Sequence, residues 1–360
     1  MKTPRLAITM GDPSGVGPET IIKAWQTAEV HADCQPLVVG NAKVLQRAVD
    51  LLQAEIKVTP IGAPEEARGE QTILPCLEAG SAKAAAVKPA CCDAQGGQAA
   101  YDAVLMAAEL ALHQRVDGIV TAPLNKAALH AAGHPYPGHT ELLADCCGAR
   151  ETAMMLYLES SSEMGRGDRQ GWGVVHATLH MPLKNIFDQL STQRIITCAK
   201  LADGVMRNMS GTTESQTPRI GVCALNPHAG EAGLFGNEEQ NILIPAVAEA
   251  IQNGLTISGP YPADTLIARA NRGEFDVLIA MYHDQGHIPL KLLGMHRAVN
   301  ITLGLPIVRT SASHGTAFDQ AWRGTAEAAG MVAAIRLAAK LAGNRIAGNR
   351  APLSVSTCHG

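Results

Sequence analysis

Charge is sparse in this sequence. Asp, Glu, Lys and Arg make up 17% of 360 residues, and the net charge is −4 with the two signs interspersed. No segment forms the basic stripe that a nucleic-acid partner requires, so a small-molecule partner is expected. Long apolar runs are lacking too. The opening stretch MKTPRLAITMGDPSG turns polar after a few residues, which leaves neither a signal-peptide core nor a membrane span. The most apolar late stretch, GMVAAIRLAAKLAG, carries Arg336 and Lys340 at helical spacing and reads as an amphipathic helix. Spaced C-x-x-C pairs are missing: nine cysteines sit at 34, 76, 91, 92, 146, 147, 198, 223 and 358, two pairs of them adjacent. That pattern fits neither a disulfide framework nor a zinc ribbon, and is read as reduced packing thiols in a cytoplasmic protein. Internal repeats and low-complexity tracts are absent.

What is present is a globular composition, 46% hydrophobic, with enough chain for two lobes. Short apolar runs alternate with helical segments, among them 18–25, NAKVLQRAVDLL, 97–114, 183–190 and EEQNILIPAVAEAIQNG. Strand then helix, repeated, predicts an α/β fold with a largely parallel sheet covered on both faces. Residues 160–171 read as an exposed hairpin loop. Polar clusters follow the apolar runs: Asp12 after RLAITM, Asn125 and Lys126 after GIVTAP, His180 after ATL, Asn226 and His228 after GVCAL, His283 and Asp284 after VLIAMY. In open α/β sheets ligands bind beyond the carboxyl ends of the strands.

His180, His228 and His283 are too far apart in sequence for a single-helix metal motif. They suit three strand ends converging on one divalent ion, or three separate caps on neighbouring carbonyls. His139 and Thr140 open a helix, with Thr140 a candidate N-cap or substrate contact. Lys126 is a surface lysine or a cation in the crevice. Lys291 and Arg309 are rare charges in apolar text near Asn300, and need a phosphate or a structural carboxylate as partner. The glycines of GDPSGVGPE, at 11, 15 and 17, match neither the dinucleotide fingerprint nor a P-loop, and read as tight-turn residues.

Eight segments, in order, resemble one known family: GDPSGVGPE, TAPLNK, GHTE, TLHMPL, LNPHAGE, PADT, AMYHDQGHIPLK and VNITLGLPIVRTSASHGTAFD, between residues 11 and 319. The family is the 4-hydroxythreonine-4-phosphate dehydrogenases, PdxA. The resemblance implies two α/β/α lobes around a cleft, as in isocitrate and isopropylmalate dehydrogenases. The lobes are expected over 1–137 plus 297–360 and over 138–296. It implies a divalent metal (zinc, magnesium or cobalt) on His180, His228 and His283, one of them from the partner chain of a homodimer. Substrate contacts fall on His139, Thr140, Lys291, Asn300 and Arg309, and polar catalytic positions on Lys126 and Asp264. NAD, with NADP as the alternative, is expected at Gly304, His314, Gly315, Thr316 and Asp319, where HGTAFDQAWRG is similar to the adenosine-side loop of the wider group.

The implied reaction is oxidation of the 3-hydroxyl of 4-phosphooxy-L-threonine, then loss of carbon dioxide to give 3-amino-2-oxopropyl phosphate, in pyridoxal phosphate biosynthesis. Some features lean to a paralogous branch acting on 4-phospho-D-threonate or D-erythronate; more distant relatives oxidise aromatic dihydrodiols. Ser313 replaces a carboxylate of the common pattern, and Trp322 stands where relatives usually have Gly. Two other classes remain open: a metal-dependent lyase or hydrolase without nucleotide, and a silent binding protein for phosphorylated sugar acids.

Overall fold

The computed structural model describes residues 3–160, 171–210, 217–294 and 297–347. Residues 161–170 of the expected hairpin loop and Cys358 lie outside the described residues. In chain order the strands are β1 (Arg5–Thr9), β2 (Gln35–Gly40), β3 (Lys57–Ile61), β4 (Ile73–Glu78), β5 (Gly118–Thr121), β6 (Ala153–Leu158), β7 (Trp172–His176), β8 (Ile220–Cys223), β9 (Ile257–Tyr261), β10 (Val277–Ala280), β11 (Val299–Leu303) and β12 (Arg309–Ala312). The chain divides into two compact units, one reaching to Arg150 and resuming at Leu305, the other Glu151–Gly304.

The first unit orders its strands β3-β4-β2-β1-β5-β12, every neighbouring pair parallel. Parallel strands are buried on both faces, which is why they read as continuous Val/Ile/Leu runs. Ala7, Leu37, Val39 and Ile119 form one core with Ala103, Val104 and Ala107 of the helix Ala94–Leu112. Each fully buried Leu or Ile there contributes roughly 1.5–3 kcal/mol. The helix begins where Asp93 Oδ1 accepts the amide of Gln95 at 2.7 Å, and Asn41 caps Ala42–Leu52 through the amide of Val44 at 3.2 Å. The helix His139–Cys146 belongs to this unit, packing on Ala94–Leu112. The late amphipathic segment is the helix Ala329–Ile346, where Arg336 pairs with Asp33 at 2.9 Å. No described helix is long and apolar enough to cross a membrane.

The second unit runs β11-β6-β7-β10-β8-β9. Here β7, β10, β8 and β9 are parallel neighbours, but β6 is antiparallel to both β7 and β11. The largely parallel expectation holds, with β6 as the strand that departs from it. AMMLYL is buried along its whole length, and a wholly apolar strand carries no alternation that would reveal its direction. The helix expected over 183–190 is also shorter: a single 3₁₀ turn, Leu183–Asn185, runs into Ile186–Gln189.

Candidate active site

The polar text after β10 has a divided job. The strand stops at Ala280, and a helix, His283–Gly294, starts almost at once. Gln285 is structural: its Oε1 accepts the amide of Met281 at 2.7 Å and its Nε2 donates to Ala224 O at 2.7 Å, tying the ends of β10 and β8 together. Asp284 acts on its neighbour, its Oδ1 accepting from His283 Nδ1 at 2.6 Å. A carboxylate on Nδ1 leaves Nε2 as the lone-pair nitrogen of the neutral ring, as metal-binding histidines require.

Of the three histidines singled out in the sequence, the fold brings two together. The rings of His180 and His283 lie 5.6 Å apart between centroids, at 45°. His228 is on the exposed loop after β8, its ring 6.3 Å from that of Phe235. Residues His228, Ala229, Glu231 and Ala232 all have φ between 44° and 56°, an unusual run of left-handed backbone for residues with a Cβ. Glu239, buried in a π-helical turn, holds the base of this loop by accepting from the amides of Leu225 and Asn226 at 2.9 and 2.8 Å. No group of three or more His, Cys, Asp or Glu able to hold a metal ion occurs among the described residues of the single chain. The donor chemistry of His180 and His283 nonetheless fits a divalent cation: two imidazoles side by side, one with its tautomer set by a carboxylate.

Two further imidazoles complete the cluster. His176 ends β7 and His287 sits one turn along from His283; both are buried. His287 Nδ1 lies 3.0 Å from His176 Nε2, and its ring stacks on His283 at 3.7 Å and 11°. Burial pushes both below the usual histidine range, His176 to about 4 and His287 to about 3, so both are neutral.

In the first unit, Arg309 opens β12 and is 2% exposed. Its Nη2 and Nε donate to Thr121 Oγ1 at the end of β5, at 2.6 and 3.2 Å. Burial lowers it to about 10, against a raising contribution from Glu141. His139 lies well below the usual histidine range, first through burial and then through the charges of Arg309 and Lys126. Its Nε2 is buried with no hydrogen-bond partner among the described residues. Thr140 is not the N-cap; that position is Gly138, and Thr140 falls inside the first turn of His139–Cys146. Lys126 is exposed at the start of the helix Lys126–Ala131, which Asn125 caps through the amide of Ala128 at 2.9 Å.

The remaining candidates belong to both units. In the second unit Asp264 is exposed, accepting the amide of Thr265 at 2.8 Å, and Asn300 lies on β11 with its Oδ1 buried and unpartnered among the described residues. Lys291 is near enough to His287 for its charge to act on that ring. Gly304 has φ 88°, and a Cβ there would meet Glu151 O at 2.0 Å, so its glycine is explained by backbone packing. His314 and Gly315 are exposed, Asp319 is exposed, and Thr316 O accepts the amide of Val16 at 3.1 Å. Trp322 has φ 61°, a left-handed backbone conformation that favours glycine. Its indole donates to Pro13 O at 2.9 Å, and the Arg47 guanidinium lies 3.9 Å over the ring.

Sequence reading assigned no role to His176, His287, Thr121 or Glu141. The available signal was spacing: His176 and His180, and likewise His283, His287 and Lys291, recur at every fourth residue.

The sequence profile described as "Pyridoxal phosphate biosynthetic protein PdxA" matches residues 32–338. A protein of Salmonella typhimurium (strain LT2) named D-threonate 4-phosphate dehydrogenase is 45% identical over 348 residues, covering 95% of this chain and 100% of that one. A protein of Trichlorobacter lovleyi named 4-hydroxythreonine-4-phosphate dehydrogenase is 41% identical over 345 residues, covering 95% and 98%. The solved structure of a 4-hydroxythreonine-4-phosphate dehydrogenase from Klebsiella pneumoniae superposes with a TM-score of 0.82 at 42% identity, over 94% of this chain and 99% of that one.

Proposed function

This chain belongs to the PdxA family, and from that premise we propose that it is a dehydrogenase of a four-carbon 4-phosphorylated hydroxy acid, dependent on a nicotinamide dinucleotide and a divalent cation. The observation that carries the reading is His139: a neutral, half-buried imidazole whose Nε2 is itself buried and has no hydrogen-bond partner among the described residues, set among the charges of Arg309 and Lys126. Such a group offers an N–H or a lone pair to an anionic or hydroxylated ligand, while the nearby cations offset its charge.

His180, His228 and His283 are the residues that would hold the cation, one of them from a second copy of the chain; zinc and cobalt suit imidazole donors, whereas magnesium would need added oxygen ligands. When bound, the cation would lower the pKa of a secondary hydroxyl and the nicotinamide would accept the hydride of the carbon that carries it. Arg309 holds the phosphate, its fork anchored by Thr121. Lys126 is the residue assigned to proton transfer, taking the hydroxyl proton once its own amine has given up a proton to solvent, and Asp264, Lys291, Thr140 and Asn300 orient the rest of the acid. Hydride and proton leave together, so C3 becomes a carbonyl beta to the carboxylate, and the 3-oxo acid loses carbon dioxide. His314, Gly315, Thr316 and Asp319 hold the adenosine side. A second copy of the chain is the expected partner: Leu183, Phe187, Leu234, Phe235, Ile288 and Leu292 of the second unit are exposed apolar side chains that a homodimer would cover.

Three acids meet this description, 4-hydroxythreonine 4-phosphate, D-threonate 4-phosphate and D-erythronate 4-phosphate, and the name of the Salmonella typhimurium relative makes the second the one to try first. Formation of reduced nicotinamide with each acid, before and after dialysis against a chelator, tests the reading. Turnover of one acid, lost with the chelator and restored by Co²⁺ or Zn²⁺, is expected. Metal binding with no dinucleotide binding would instead favour a lyase or hydrolase.

A further inference from the structure

The His176–His287 pair lies outside the residues given a role above, and it joins the end of β7 to the helix His283–Gly294. His176 Nδ1 faces Met154 O at 3.3 Å, and a carbonyl oxygen only accepts, so the proton of His176 is on Nδ1. Its Nε2 is then a bare acceptor. It receives the Nδ1–H of His287 at 3.0 Å, which leaves His287 bare at Nε2. This arrangement gives each ring the Nδ1–H tautomer, with the His283 carbonyl, which also acts on both rings, as the competing acceptor.

The surroundings hold the pair in place. His176 is 0% exposed and His287 8%. Gly286 lets the helix approach so closely that a Cβ there would stand 2.5 Å from His176 Nε2 and 2.7 Å from Val174 Cγ1. The fixed ring of His287 is the surface against which His283 lies, 3.7 Å away and within 11° of parallel. On the far side His283 is held by Asp284 at 2.6 Å. His283, His287 and Lys291 share one helical face, so the middle residue sets the position of the other two.

We propose that His287 is a positioning residue: locked by its hydrogen bond to His176, its ring fixes the plane in which His283 presents Nε2 to a divalent cation. The role rests on the cation reading given under Proposed function; the hydrogen-bonded pair itself does not. An apolar side chain at 287 would fill the space but would have no donor for His176. Groups that orient a metal-bound imidazole typically change metal affinity about 10–100-fold when removed.

Two measurements on the full chain test this. In metal-free protein, ¹⁵N spectra of the histidine rings should show His176 and His287 both protonated at Nδ1 and bare at Nε2; the opposite tautomer at either ring overturns the proposal. Co²⁺ alone is then titrated onto wild type, His176→Leu and His176→Gln, with thermal melting as the control for folding. Leu removes the acceptor and should weaken Co²⁺ binding about 10–100-fold. Gln places an oxygen where Nε2 stood and should restore most of the affinity. Wild-type affinity in His176→Leu, or equal losses in Leu and Gln variants, overturns the role of His287. If His176→Leu does not fold, His287→Phe, which keeps the platform and loses the donor, is expected to bind Co²⁺ more weakly; unchanged affinity overturns the proposal. Wild-type protein that binds no Co²⁺ overturns the cation reading and the role of His287 with it, while the tautomer spectra decide separately whether the pair exists.

Discussion

Arg309 and Thr121 lie on adjacent parallel strands two residues apart in register, and the threonine hydroxyl accepts from two nitrogens of the guanidinium, at 2.6 and 3.2 Å. A charge that is 2% exposed is thereby oriented through one small side chain among its contacts. Thr121→Val keeps the shape and removes the acceptor. It should cost about 1–3 kcal/mol in denaturant unfolding. It should also raise KM for the phosphorylated acid more than it lowers kcat; an unchanged KM would remove Arg309 from the phosphate.

Gly286→Ala tests the close approach of the helix His283–Gly294 to β7. The added methyl would stand 2.5 Å from His176 Nε2, so ring or helix has to move. A loss of about 1–3 kcal/mol by urea unfolding is expected, the usual range for overpacking a dense core. Stability equal to wild type would show that the contact is looser than drawn.

Asp12 carries an unfavourable charge. Burial raises it from 3.8 to about 6, Ser14 opposing, and its Oδ2 has no partner among the described residues. The folded state therefore binds the proton more tightly than the unfolded chain, so stability falls as pH rises from about 4 to about 6 and stays lowered above. Asp12→Asn keeps an acceptor for the Ser14 amide, now 2.8 Å from Oδ1. Above pH 6 the variant should be more stable by on the order of 2–3 kcal/mol, with no gain at pH 3.8. A gain of equal size at both pH values would locate the effect elsewhere.

His139 gives the opposite slope. Its folded value lies well below 6.5, so the unfolded chain takes up a proton first as the solution is acidified. Stability from this residue is complete above about pH 6.5 and is lost as pH falls, by up to about 1.4 kcal/mol per pH unit. His139→Gln should flatten the acid limb of a stability profile measured between pH 7 and pH 5; an unaltered limb would show that the imidazole is solvated in the folded protein.

The fold class was legible because parallel strands announce themselves: LVVG, GIVT and VLIA are short, wholly apolar and followed by polar turns. Helix starts were legible where a cap was present, as at Asn41 and Asp93. Strand β6 shows the limit, since AMMLYL has the composition of its parallel neighbours and runs the other way. Thr140 shows another: a good capping residue was shifted inside the helix because Gly138 already made the turn.

For the candidate site, the text named most of the polar residues without their partners. His283 and Asp284 are neighbours in sequence, and their pairing is local chemistry that adjacent residues can reach in any fold. His287 above His283 follows from helical spacing alone. That His176, and not His228, meets this face depended on β7 lying beside β10 in parallel register, with His176 opposite Ala280. Which side chains share a helix or end a strand is set by short-range geometry, and the sequence by itself determined that much. Which imidazole accepts from which was decided only by the tertiary structure, because strand order is settled by burial of the whole apolar surface and leaves no mark on the residues that happen to meet.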